Sequence, residues 1–130
     1  MTYSVTGVQT CALPIYRKRL AKFPGIIFQQ THEQRFVNWI FTIRIANAEE
    51  AQRDRVMEFL REAGIDSRPV FYPIHQMPFL RQDGVSSATF PHTEQVSREG
   101  ISLPTYIGLN KEDIGYICDH LLRSIEKAGI

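Results

Sequence analysis

Cysteine is scarce in this chain of 130 residues: Cys11 and Cys118 are the two, far apart. Their separation makes neither a metal-binding pair nor a disulfide framework, which fits a reducing, cytoplasmic setting. No apolar run approaches the ~20 residues that a membrane-crossing helix needs. Net charge is nearly absent, with 15 Lys and Arg against 14 Asp and Glu. Such a balance gives no electrostatic reason to expect nucleic acid or an anionic membrane as partner, and leaves a small molecule or another protein. There is no internal repeat, no low-complexity tract, no Gly-rich phosphate loop, no serine-nucleophile elbow and no paired-carboxylate signature. No two of His32, His75, His92 and His120 have metal-ligand spacing. The length suits one domain with one core.

What the chain does have is an unusual stretch from Ser67 to Leu80, Ser-Arg-Pro-Val-Phe-Tyr-Pro-Ile-His-Gln-Met-Pro-Phe-Leu. Its three prolines, each without an N–H and each biasing its predecessor toward extended backbone, predict a ribbon and exclude a helix interior. Phe71, Tyr72, Met77, Phe79 and Leu80 are too apolar for an ordinary solvated loop, while Arg68, Tyr72, His75 and Gln76 bring polar groups. An apolar wall with a few directed polar groups is how ligand pockets are lined.

Around that ribbon the elements alternate. A basic run from Tyr16 to Lys22 reads as the last turns of a helix, stopped at Pro24-Gly25. Phe36 to Ile45 reads as a strand, with Trp39, Phe41, Ile43 and Ile45 on the core face. Asn47, three residues before Glu50, has capping-box spacing for a helix over 48–63, which Gly64 ends in a left-handed turn. Ile65 to Tyr72 suits a strand that Pro69 confines to an edge, and Arg81 to Thr89 a surface loop. Pro91 to Glu99 suits a short helix with Gly100 after it, and Ile101 to Leu103 a strand stopped by Pro104. Asn110 with Asp113 caps a last helix whose stripe is Ile114, Ile117, Cys118, Leu121, Leu122 and Ile125. Cys118 on that stripe reads as a small buried hydrophobe. The order predicts an α+β domain, a small sheet covered by helices.

The ribbon resembles the "SRP-x-FYP-x-H" segment of the DegT/DnrJ family of pyridoxal-phosphate (PLP)-dependent sugar-nucleotide aminotransferases, in particular the perosamine-synthetase-like members. Tyr16-Arg17-Lys18-Arg19-Leu20, Asn38-Trp39-Ile40-Phe41-Thr42-Ile43, Phe90-Pro91 and Ile101-Ser102-Leu103-Pro104 resemble further landmarks in the expected order, from about Tyr16 to the end. Residues 4–15 instead resemble the translation of a sequencing-library adapter, so 1–15 is read as a non-native segment and 16–130 as a domain. The resemblance implies the C-terminal small domain of a fold type I, aspartate-aminotransferase-like enzyme. It also implies a homodimer that moves an amino group from glutamate to a keto-sugar nucleotide in surface polysaccharide synthesis.

Transamination requires a Schiff-base lysine in a desolvated or cationic setting. Lys18, Lys22, Lys111 and Lys127 all fall near predicted helix ends or on polar faces. In the family the lysine, the acidic partner of the pyridinium and the phosphate cradle lie upstream, so this chain alone is expected to be inactive and not to bind PLP. The same resemblance makes Arg68, Tyr72 and His75 substrate-binding candidates. Arg68 could grip a phosphate or carboxylate, or simply pair at a strand edge. Tyr72 could offer its hydroxyl to a sugar or sit at a rim, and His75 could bind the sugar or be satisfied by a backbone carbonyl. A freestanding small-molecule-binding or regulatory module, and a purely structural interaction domain, are the rival readings.

Overall fold

In a computed structural model, residues 7–30, 39–82, 89–106 and 108–130 are described. The elements are α1 (Gly7–Leu20), β1 (Ile26–Phe28), β2 (Phe41–Ile45), α2 (Glu50–Glu62), β3 (Arg68–Pro69), a 3-10 turn (Ile74–Gln76), α3 (Pro78–Gln82), α4 (Pro91–Glu99), β4 (Gly100–Leu103) and α5 (Lys111–Lys127). The four strands form one antiparallel sheet in the order β1-β2-β4-β3. The fold is α+β, as the element order implies.

Alternation decides which face of the sheet is covered. Phe41, Ile43 and Ile45 of β2 are buried and Thr42 and Arg44 only partly so. The first set meets Tyr16 and Leu20 of α1, Val56 and Leu60 of α2, and Ile114, Ile117, Cys118 and Leu121 of α5 in one core. Tyr16 stacks on Phe41 at 4.7 Å and donates its hydroxyl to the Pro104 carbonyl at 3.0 Å. Burial pushes the Tyr16 phenol well above its ordinary range. Burial likewise pushes the Cys118 thiol up to about 11, so it packs as a hydrophobe. Ala12 also belongs to the core, so part of the segment that the sequence reading set aside is helical and packed.

Caps and turns refine the expected boundaries. Asn110 accepts from the Asp113 N–H at 2.8 Å, as its spacing predicts. Asn47 does not cap α2: it lies at φ 60, in the turn closed by the Ala48 N–H on the Ile45 carbonyl. The left-handed geometry tolerated by asparagine is what this tight strand-to-helix turn needs. Glu49 takes the cap position, its N–H donating to Gln52 Oε1 at 3.0 Å. Trp39 is a second correction, being 67% exposed rather than on the core face, because the strand begins only at Phe41. Residues 36–38 of the expected strand, and 83–88 of the expected loop, lie outside the described residues. Strand β1 was not foreseen, its three residues being too few to show a period.

The ribbon is corrected most. Its strand is two residues long because Pro69 has no N–H to continue the ladder, although Val70 adds a bond to the Gly100 carbonyl at 3.3 Å. After residues 70–73, which belong to no regular element, the chain coils into the 3-10 turn and then into α3, which starts at Pro78. Proline at a first helical position loses nothing, since that N–H has no partner anyway. Gly100 matters here for space: a Cβ would overlap the Val70 side chain and the Val96 carbonyl, so β3 and α4 close on β4 only over glycine.

Candidate functional site

Between the ribbon and α4 lies a cleft of about 770 Å³, whose walls include Val70, Phe71, Tyr72, His75, Phe90 and Val96. The walls are apolar, yet the cleft is not sealed: Phe71 is 81% exposed, Ile74 69% and Tyr72 52%. The prolines hold the aromatic residues outward instead of letting them collapse onto the sheet.

His75 is the polar centre of that cleft. Its Nε2 lies 2.9 Å from Glu94 Oε1, and its ring packs against Phe90 at 4.9 Å. The same Glu94 oxygen accepts the Phe90 N–H at 3.2 Å. These two bonds, that from His75 foremost, hold the Glu94 carboxyl below the usual glutamate range against the small opposing effect of burial. The partner of His75 is therefore a carboxylate, not a backbone carbonyl. Glu94 was not singled out from the sequence; its position in the first turn after Pro91 was the available signal. His92 also lines the cleft, whereas His120 packs at a tilt against Tyr116 on α5.

Arg68 is not in that cleft. It lines a second one of similar volume, about 770 Å³, on the open face of the sheet with Trp39, Thr42, Ser67, Ser102 and Thr105. Its guanidinium lies 3.7 Å from Asp66, and both side chains are 81% exposed, so the pair leaves the fork accessible. Thr42 and Ser102 hydroxyls meet across the strands at 3.1 Å. Ser67 Oγ is the one buried side-chain oxygen without a partner among the described residues. Val70 and Phe71 line both clefts and form the partition between them. The structure thus brings Tyr72 and His75 together and sets Arg68 across the Phe71 ridge.

No lysine lines either cleft. All four lysines are exposed rather than enclosed in a desolvated setting, so the residues present do not fit a PLP site. No cluster of metal-ligating side chains occurs among the described residues, and no described helix is long and apolar enough to cross a membrane.

The chain is thus a helix-backed sheet with two open clefts, one between the ribbon and α4 and one on the uncovered face of the sheet. Comparison with known proteins places the chain in a family. The chain matches the model of the DegT/DnrJ/EryC1/StrS aminotransferase family over residues 7–122, and it belongs to that family. It is 33% identical over 105 residues to the GDP-perosamine synthase of Vibrio cholerae, covering 81% of this chain and 28% of that protein. Among solved structures, it is similar to Helicobacter pylori PseC, an aminotransferase involved in pseudoaminic acid biosynthesis. That match has a TM-score of 0.81 at 21% identity, covering 92% of this chain and 32% of that one. A Streptococcus pneumoniae protein described as a sugar aminotransferase, in its PLP form, matches with a TM-score of 0.81 at 20% identity, covering 92% and 31%. The chain therefore spans about three-tenths of the length of the proteins it resembles.

Proposed function

We propose that residues 16–130 are the C-terminal small domain of a PLP-dependent aminotransferase acting on a keto-sugar nucleotide with glutamate as donor, and that residues 1–15 are not native to it. The boundary at residue 16 rests on the adapter-like sequence of residues 4–15 alone, and the family match over residues 7–122 carries the aminotransferase reading. It is supported by the open clefts and by the exposure of every lysine. In the intact, cytoplasmic homodimer, which would serve surface polysaccharide synthesis, PLP would supply the electron sink from residues outside this chain.

The residues of this chain bind and orient. Arg68 offers a planar fork to a phosphate or carboxylate, beside the hydroxyls of Thr42 and Ser102. Tyr72 and His75 both line the apolar cleft, where a hydroxyl and an imidazole would meet the ligand. A ligand long enough to cross the Phe71 ridge would touch both lobes. The chain by itself has no reactive amine and performs no transfer.

The test is a hybrid in which residues 16–130 replace the matching part of the V. cholerae enzyme. The expected result is a folded hybrid that forms the amino sugar, with Arg68→Ala and His75→Ala each raising KM about tenfold or more, the worth of one charge-assisted hydrogen bond. A folded dimeric hybrid with no transfer, or one indifferent to both substitutions, would overturn the reading.

A further inference from the structure

His75 is held by a neighbour that no sequence motif marked. Glu94 stands in the first turn of α4, and its carboxylate reaches His75 Nε2 at 2.9 Å. An ionised carboxylate only accepts hydrogen bonds, so the nitrogen facing it must carry the proton. In a neutral imidazole the other nitrogen is then an acceptor. Among the described residues Nδ1 makes no hydrogen bond, and it is not among the buried atoms lacking a partner. The Phe90 ring, 4.9 Å away, limits rotation of the imidazole out of this arrangement. The Phe90 N–H on the same Oε1 in turn fixes the carboxylate. The remaining titratable groups lining the cleft are Tyr72 and His92.

We infer that Glu94 is the positioning residue of this cleft: by fixing His75 as the Nε2–H tautomer, it turns Nδ1 into an acceptor for a hydroxyl or amino group of a ligand. This rests on the reading of the cleft as a substrate wall and deepens it. An acceptor at that point favours ligands that bring an N–H or O–H and disfavours those that bring only a carbonyl or ether oxygen. Without Glu94, both tautomers would compete and the ring would lose its orientation.

Nitrogen-15 NMR of the imidazole in the 130-residue chain, at a pH where His75 is neutral, reads the tautomer directly. The expected spectrum has a protonated Nε2 and an unprotonated Nδ1. Glu94→Gln, which keeps an acceptor oxygen, should retain it, and Glu94→Ala, with its amide spectrum otherwise preserved, should give a mixture. The opposite tautomer or a mixture in the unmodified chain would overturn the inference, as would an unchanged tautomer in Glu94→Ala. Should His75→Ala leave KM unaltered in the hybrid enzyme while the tautomer is as expected, the substrate-wall reading fails and the tautomer assignment stands. The two failures are thereby told apart.

Discussion

The covered face of the sheet and the ribbon from Val70 to Leu80 use the same kinds of apolar residue and meet opposite fates. Ile43, Ile101, Ile114 and Leu121 are sealed beneath helices, while Phe71, Ile74 and Phe79 stand largely in solvent. Periodicity separates them. Residues that recur every second position on β2 or every third and fourth on α5 can close together on one surface. The ribbon has no period, only prolines that fix where its side chains point. One region spends its apolar surface on stability, and the other leaves it available to a ligand or another domain.

Substitutions can break that contrast. The largest effect is expected in the core: Leu121→Ala should cost about 2–5 kcal/mol by urea denaturation, whereas Ile74→Ala should fall within about 0.5 kcal/mol. Equal costs would erase the distinction.

Next comes the ion pair on the open face, where Arg44 donates to Glu99 from Nε at 3.0 Å and Nη2 at 2.6 Å and Gln95 adds a bond at 3.1 Å. Burial would push the Glu99 carboxyl up, but the bonds from Arg44 and Gln95 and the guanidinium charge outweigh it and hold the group below 4.5. A depressed carboxylate stabilises the fold above its unfolded pKa, and that contribution is lost as pH falls through the folded value. Stability should therefore decline below pH 4.5, and Arg44→Ala should cost about 3 kcal/mol at neutral pH by leaving a buried charge unpaired. A flat acid profile would contradict this.

Asn110→Ala should cost about 1 kcal/mol through the lost cap of α5. Smallest in stability is Phe71→Ser with Ile74→Ser, expected to leave the denaturation midpoint nearly unchanged while reducing self-association in light scattering. A chain already monodisperse before substitution would remove the case for an adhesive ribbon.

Much of the covered region was legible because its signals are local. The stripe on α5 needs only the sequence from Asn110 onward, and the edge position of β3 follows from Pro69 alone. The site was less legible. Arg68 and His75 stand close in sequence, but Phe71 parts them into separate clefts, and Glu94 joins His75 across an intervening helix. Such pairings depend on how α4 packs over Gly100, which no run of neighbouring residues encodes. Asn47 and Glu50 likewise had the spacing of a cap, yet the turn after β2 needed Asn47 for its backbone instead.

Reductive trapping tests the central claim most directly: this chain lends a wall to a site whose reactive amine lies elsewhere. Mixing it with pyridoxal phosphate, reducing with borohydride and mapping the adducts should show partial labelling spread over Lys18, Lys22, Lys111 and Lys127. Complete, stoichiometric modification of a single lysine would contradict the account.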